Sequence, residues 1–160
     1  MKLIEATQDR WSFRLTPAER AVLVELIETY PCVPSAHARH QAATPLEHAR
    51  SVQIQQLLDE ALAEHRATLR RQIRHWIQSP ETLRPEGQAW TLHLRAGELE
   101  MLLQVLNDIR VGNWIALGCP DPLPEEMPRD PQRAHAMATM ELAGWFEISL
   151  LHQIRQDSGS

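Results

Sequence analysis

Two stretches of the chain, residues 11–28 and 90–107, repeat one pattern of hydrophobic and polar positions. Each begins with a Trp, a second apolar residue and a Leu on alternate positions, and continues with apolar residues at helical spacing. Alternation with a period of two places the three side chains on one face of a β-strand, and the run that follows is typical of a buried helix. The pattern predicts a strand followed by a helix in each stretch, and favours an internal strand-helix duplication.

Helix start signals mark the first of these helices and a second, much longer one. Thr16-Pro17 with Glu19, and Thr44-Pro45 with Glu47, both have the order of a capping box with Pro at the first helical position. After Pro45 the helical pattern has no Gly or Pro before Ser79, so a continuous helix over residues 44–78 would be about 50 Å long. We expect this helix either to break near residues 66–68 or to project from the domain and contact a partner.

The remaining segments complete an α+β fold that is predominantly helical. A hairpin in residues 1–15 supplies an additional strand, a linker occupies residues 80–87, and two further helices are expected near residues 96–117 and 134–154. The prediction is therefore four main helices and a small three-stranded antiparallel sheet. We expect residues 1–156 to form a single domain in which the two repeats share one sheet and one core about a pseudo-two-fold axis, with residues 157–160 as a frayed tail.

Composition narrows the classes of function. The formal net charge is -5 at pH 7, which argues against nucleic-acid binding, because such binding depends on a basic surface. No apolar run is long enough for a membrane span, and the first ten residues do not resemble a leader, so we expect a cytoplasmic protein without membrane association. Cys32 and Cys119 are expected to be free thiols.

Known catalytic and cofactor motifs are missing from the sequence. It has no GxGxxG, Walker, GxSxG or HExxH motif, so we expect no cofactor and lean towards a non-enzymatic role. The nearest approach to metal-ligand spacing is His37 and His40, with Glu47 and His48 nearby. They lack a second ligand pair in register, so we expect no metal.

Asn107, Asp108 and Arg110 form the densest polar cluster in an otherwise apolar helix. A buried carboxylate and guanidinium need partners, so one interpretation is a structural network that fixes helix against helix. In another, Arg110 grips a carboxylate or phosphate of a small ligand with two parallel hydrogen bonds. In a third, the charged groups are simply exposed to solvent.

A second cluster of cations lies in the later part of the long helix. Solvent exposure with nearby acidic side chains is one explanation of it, and docking of an acidic partner, or of the acidic segment 119–131, is the other. The candidate partner-binding residues are Arg66, Arg70, Arg71, Arg74 and His75.

The segment Leu106-Asn107-Asp108-Ile109-Arg110, followed by the Trp-containing final helix, resembles an uncharacterised bacterial family best known from actinobacteria. That family has a Leu-Asn-Asp-x-Arg signature, two strand-then-helix segments and a Trp-rich last helix, and its genes often lie near a Clp protease adaptor. After the signature this chain has Gly112-Asn113-Trp114-Ile115 where the family tends to have a Gly-Thr-Arg run. The resemblance implies a regulatory or adaptor role.

Together these patterns favour a protein-interaction or regulatory module, homodimeric, with an unknown protein partner. The long helix and five tryptophans supply more apolar surface than catalytic chemistry. The alternative is a small-ligand-binding protein or enzyme whose polar site is formed by Asn107, Asp108 and Arg110.

Overall fold

The part of the chain that the structure describes folds into four strands and four helices in the order ββααββαα. The computed structural model describes residues 1–32 and 45–157, with the backbone alone for residues 45–51, 53 and 157. The elements are β1 (Lys2–Ala6), β2 (Arg10–Leu15), α1 (Pro17–Thr29), α2 (Pro45–Gln78), β3 (Leu83–Glu86), β4 (Ala89–Arg95), α3 (Ala96–Ala116) and α4 (Pro131–Asp157).

The two ββαα halves join through their inner strands. The strands form one antiparallel sheet in the order β1-β2-β4-β3, so each half contributes a hairpin. Phe13 of β2 lies opposite Leu92 of β4 at the middle of the ladder. On either side of this pair, Trp11 lies opposite Leu94 and Leu15 opposite Trp90. This register is the one that a local two-fold axis through the Phe13–Leu92 pair requires, in agreement with the predicted arrangement of the two repeats.

One face of the sheet packs against the helices to form the core. Phe13, Leu15, Leu92 and Leu94 are fully buried there, in one apolar cluster that includes residues from all four helices. Trp11 and Trp90 are half-buried against the same cluster, and the Arg20 guanidinium of α1 lies 4.6 Å from the centre of the Trp90 ring. The prediction that the alternating Trp, apolar and Leu positions face a shared core is confirmed.

The prediction of three strands was wrong, because a fourth strand, β3, lies in the segment expected to be a linker. Leu83–Glu86 pairs with β4, and Gly87 has a φ of 62° at the first position of the two-residue turn between them. Pro85 and Gly87 are typical of turns and linkers, and for this reason the segment was predicted to be a linker. A proline is tolerated in β3 because β3 lies at the edge of the sheet, where one side of the backbone needs no partner strand.

The starts of α1 and α3 show how local chemistry fixes these elements. At α1 the predicted capping box is present: the backbone N–H of Glu19 donates to Oγ1 of Thr16 over 3.2 Å, and Glu19 Oε2 accepts from the Thr16 N–H over 2.7 Å. At α3 a guanidinium replaces the Thr hydroxyl and cannot accept. Half of the box remains, because Glu98 Oε2 accepts from the Arg95 N–H over 2.8 Å.

Helix α2 is continuous from Pro45 to Gln78, so the first of the two alternatives, a break near residues 66–68, does not apply. Its later part packs on the core, through Leu69, Ile73 and Trp76, which are all under 10% exposed. Arg74 ties the same part to α1, because its Nη2 lies 2.8 Å from Oε2 and 3.0 Å from the carbonyl oxygen of Glu28. The predicted cap residue Thr44 lies outside the described residues.

Helix α4 packs along α3 and reaches the outer edge of β1. The side chain of Gln153 accepts from the Leu3 N–H and donates to the carbonyl oxygen of Met1 over 2.8 Å. The pairing of β1 with β2 shifts register between Leu3 and Glu5. Within the part of the chain that is described, no helix has both the length and the hydropathy needed to cross a membrane.

Candidate functional site

Asp108 of the predicted polar cluster holds α1 against α3. The Tyr30 hydroxyl, at the end of α1, donates to Asp108 Oδ2 over 3.3 Å, and the Tyr30 side chain is 1% exposed. Burial, and then the neighbouring Asp108 charge, raise the pKa of Tyr30 to about 12. Tyr30 therefore stays protonated near neutral pH and can donate to this carboxylate.

Close packing of α1 and α3 depends on Gly112, one turn beyond Asp108. A Cβ added at Gly112 would lie 2.7 Å from Cys32 Cβ and 2.8 Å from the Cys32 carbonyl carbon. Cys32 is half-buried here, and burial raises the pKa of its thiol. Cys32 and Cys119 are both free thiols, as predicted.

Arg110 and Asn107 lie on the other side of α3, towards α4 and solvent. Arg110 Nη2 donates to Asn107 Oδ1 over 3.3 Å, and Arg110 Nη1 lies 3.4 Å from Oε2 of Glu147 on α4. The Arg110 side chain is 47% exposed and that of Glu147 is 13% exposed. Burial raises the pKa of the Glu147 carboxyl, and Arg110 opposes this shift. The three predicted residues thus divide between two sides of α3.

Replacing Arg110 with Met is expected to lower the free energy of unfolding by up to about 1 kcal/mol, because the buried Glu147 carboxylate then loses its counter-charge. In a Glu147→Gln background the same substitution should have no measurable cost. Urea denaturation of the four proteins at pH 7 gives the coupling energy of the pair. An equal loss in both backgrounds would show that the ion pair is not the cause.

The pH dependence provides a check on the same pair. A carboxyl whose pKa is raised in the folded state favours folding below its unfolded pKa, near 4.5, and loses that contribution as the pH rises through the folded pKa. The unfolding free energy of the wild type should therefore fall relative to that of Glu147→Gln as the pH rises from 4 to 7.

Arg110 also borders an apolar groove between α3 and α4. The groove has a volume of about 560 Å³, and its main apolar side chains are Val111, Trp114, Leu123, Trp145 and Ile148. All five are at least 36% exposed, and Ile148 reaches 68%. The Trp114 indole N–H donates to the Pro120 carbonyl oxygen over 3.1 Å, which anchors the start of the segment that carries Leu123.

The predicted cationic cluster on α2 lines a shallow cavity of about 490 Å³. Its walls include Arg66, Arg70, Arg71 and Arg74, whereas His75 is exposed outside this cavity. Arg74 is paired with Glu28, and Arg71 Nη2 donates to Thr68 Oγ1 over 3.1 Å. The structure thus brings four of the five predicted partner-binding residues together.

The histidines weighed as metal ligands are not covered by the structure. His37 and His40 lie outside the described residues, and only the backbone of Glu47 and His48 is described. Across residues 1–32 and 45–157, no three His, Cys, Asp or Glu side chains are grouped as metal ligands would be.

The face of the sheet opposite the helices is basic, which the sequence pattern alone did not predict. Exposed arginines from three different strands lie on this face, at Arg10, Arg14, Arg84 and Arg95. The alternation of polar and buried positions along each strand does indicate a polar face. The strand order that brings these arginines together depends on long-range pairing, which the alternation does not reveal.

Comparison with protein-family models, with curated proteins and with solved structures found no match to this chain. The resemblance carried by residues 106–110 therefore stays a prediction.

Proposed function

We propose that this chain is a cytoplasmic, non-enzymatic protein-interaction module that acts as a homodimer, with the first half of α2 as its association surface. One observation carries the proposal. Four large apolar side chains on this half of α2 are between 46% and 61% exposed: Ile54, Leu57, Leu58 and Leu62. Contiguous exposed apolar surface of this kind favours a protein contact.

The helical spacing supports the same conclusion. Ile54, Leu58 and Leu62 continue, at four-residue steps, the stripe that is buried at Leu69 and Ile73. The stripe keeps its apolar character beyond the point at which its own chain stops covering it. If this part of α2 remained exposed to water, polar residues would serve equally well at these positions.

A second copy of the chain is the occupant that the surfaces favour, because the chain carries both an exposed apolar ridge on α2 and an apolar groove between α3 and α4. An amphipathic helix binds such a groove through side chains at three- and four-residue spacing. Glu60 and Glu64 lie along the exposed half of α2, and of the two charged residues that border the groove, Arg110 and Glu141, Arg110 attracts them. Two copies related by a two-fold axis would bury the α2 ridge of each in the groove of the other.

Replacing Leu58 with Glu is expected to convert the dimer into a monomer, because it places a charge in the middle of the apolar interface. The measurement is the molar mass by light scattering and sedimentation over a concentration series. The matched control is Gln56→Glu, which adds the same charge to the exposed opposite side of the same helix and should leave the mass unchanged. A monomeric wild type at high concentration would contradict the proposal.

Ile148→Glu tests the groove separately. If the α2 ridge occupies the groove, this change should also yield monomers. If Leu58→Glu yields monomers but Ile148→Glu does not, the two α2 helices pair directly with each other. The protein would then still be a homodimer, but the groove would not be part of its interface.

The alternative function, a ligand or catalytic site at Asn107, Asp108 and Arg110, has less support. Asp108 bonds to Tyr30 on one side of α3, and Arg110 pairs with Glu147 on the other. Because these side chains do not converge, their contacts are better explained as ties between helices.

A further inference from the structure

The face of the sheet opposite the core carries basic side chains in two rows that cross the strands. Arg10 of β2 lies opposite Arg95 of β4 in one row. In the other, Arg84, Thr91, Arg14 and Lys2 follow one another across β3, β4, β2 and β1. The rows are four residues apart along β2, or about 13 Å. Along β2 and β4 these side chains alternate with side chains that face the core.

The charge of this face is opposite to that of the whole chain. Five basic residues lie on it, at Lys2, Arg10, Arg14, Arg84 and Arg95, against the two carboxylates Glu5 and Glu86. The chain as a whole has a formal net charge of -5. The excess of cations is therefore a local property of the sheet, and it attracts anions to one side of the molecule.

Between the two basic rows lies a row of hydrogen-bonding side chains. The Ser12 Oγ lies 2.9 Å from Nδ1 of His93 and 3.4 Å from Oε2 of Glu5. Thr82 is next to His93, whose N–H donates to the Thr82 carbonyl oxygen over 2.8 Å. Ser12 is 1% exposed and Thr82 is 5% exposed, so polar groups form the floor beneath the arginines.

A concave site lies over one end of these rows. It has a volume of about 640 Å³, and its cationic and imidazole lining comprises Arg10, Arg84, Arg95 and His93. Glu81 and Glu98 also border it, and Glu98 is engaged in capping α3. The volume lies in the range of small-molecule sites.

The chemistry of the face favours phosphate over nucleobases. Arginine side chains bind phosphate oxygens through two parallel hydrogen bonds, and three of them border this cavity. The strand tryptophans, Trp11 and Trp90, pack against the core on the other face. Nothing in the described strands therefore offers an aromatic platform for base stacking on the basic face.

We propose that this basic sheet face, defined by Arg10, Arg84, His93 and Arg95, is a binding site for a small molecule that carries two or three linked phosphate groups. Three guanidinium groups around one cavity can each contact a different phosphate of such a molecule, whereas a single phosphate offers less charge and fewer oxygens to satisfy all three. The cations contact the phosphate oxygens, and the Ser12 hydroxyl and the Thr82 carbonyl oxygen hold His93 in place.

Isothermal titration of the wild type with inorganic triphosphate at neutral pH tests the site. We expect saturable binding with one site per chain, and at least a tenfold loss of affinity in the Arg10→Gln/Arg95→Gln double variant. Arg84→Gln, on a different strand, should weaken binding as well. The matched control is Arg129→Gln/Arg155→Gln, which removes the same charge from exposed positions outside the sheet and should bind like the wild type.

A second readout follows His93 directly. Burial, and then the Arg10 charge, lower the pKa of His93, with Arg84 acting in the same direction and Glu5 and Glu86 opposing it. Bound triphosphate adds negative charge beside the imidazole, so the His93 signals in an NMR titration should shift to a higher pKa. The control variant should show the same shift, and the double variant should not.

Several results would overturn this proposal. Equal affinity of the wild type and the double variant would show that the arginines do not form the site. Orthophosphate or citrate binding as tightly as triphosphate would rule out recognition of linked phosphates. Affinity that grows with the length of a single-stranded oligonucleotide, without competition from triphosphate, would identify a nucleic-acid surface instead.

Discussion

Replacing Phe13 with Ala is expected to lower the free energy of unfolding by about 3–5 kcal/mol, the largest effect among the substitutions considered. Phe13 is fully buried and faces Leu92 at the centre of the β2–β4 ladder, where the two halves meet. Its loss would leave a cavity that neither hairpin alone can close. Urea or thermal denaturation followed by circular dichroism measures the change.

The control for Phe13 is its neighbour Arg14, which is exposed on the opposite face of the same strand. Arg14→Ala should change stability by less than about 0.5 kcal/mol. Leu92→Ala should cost about 2–5 kcal/mol, because Leu92 occupies the matching position in the second half. If Phe13→Ala caused a much smaller loss of unfolding free energy than Leu92→Ala, the two halves would not contribute comparably to the stability of the core.

The second large effect is expected at Gly112. Gly112→Ala should lower the free energy of unfolding by about 1–3 kcal/mol, because the new Cβ would overlap the backbone of Cys32, which cannot move aside as a flexible side chain can. The overlap would push the end of α1 away from α3 and lengthen the Tyr30–Asp108 hydrogen bond.

Gly97 provides the matched control in the same helix. A Cβ added there meets nothing within 4 Å, so Gly97→Ala should leave stability unchanged or raise it by up to about 1 kcal/mol through its better helix propensity. Thermal melts of the two variants separate close packing from a general effect of alanine in α3. A Gly112→Ala variant as stable as Gly97→Ala would show that α1 and α3 do not depend on this contact.

Elements that local chemistry specifies could be predicted from the sequence. The alternation of Trp11, Phe13 and Leu15 specifies a half-buried strand, and Thr16 with Glu19 specifies where α1 begins. The same signals in the second stretch place β4 and α3. Strand β3 was missed because local signals around Pro85 indicate a turn, whereas its pairing is decided by distant β4.

The functional surfaces could be predicted less well, since they depend on which segments pack together. Asp108 and Arg110 are close in sequence, but their side chains project from different sides of α3 and contact different residues, Tyr30 and Glu147. Conversely, Arg10 and Arg95 are far apart in sequence and lie opposite each other only through strand register. A composition that is acidic overall concealed the basic side of the sheet.

The two outer strands bear on how this protein avoids forming larger aggregates. An unprotected edge strand offers its free N–H and C=O groups to any other extended chain. On β1, the Gln153 amide already occupies the groups of Leu3 and Met1 that an added strand would use. On β3, Pro85 lacks the N–H that continued pairing needs. Growth of the sheet from molecule to molecule is therefore disfavoured at both ends, and a high local concentration of the chain should remain compatible with solubility.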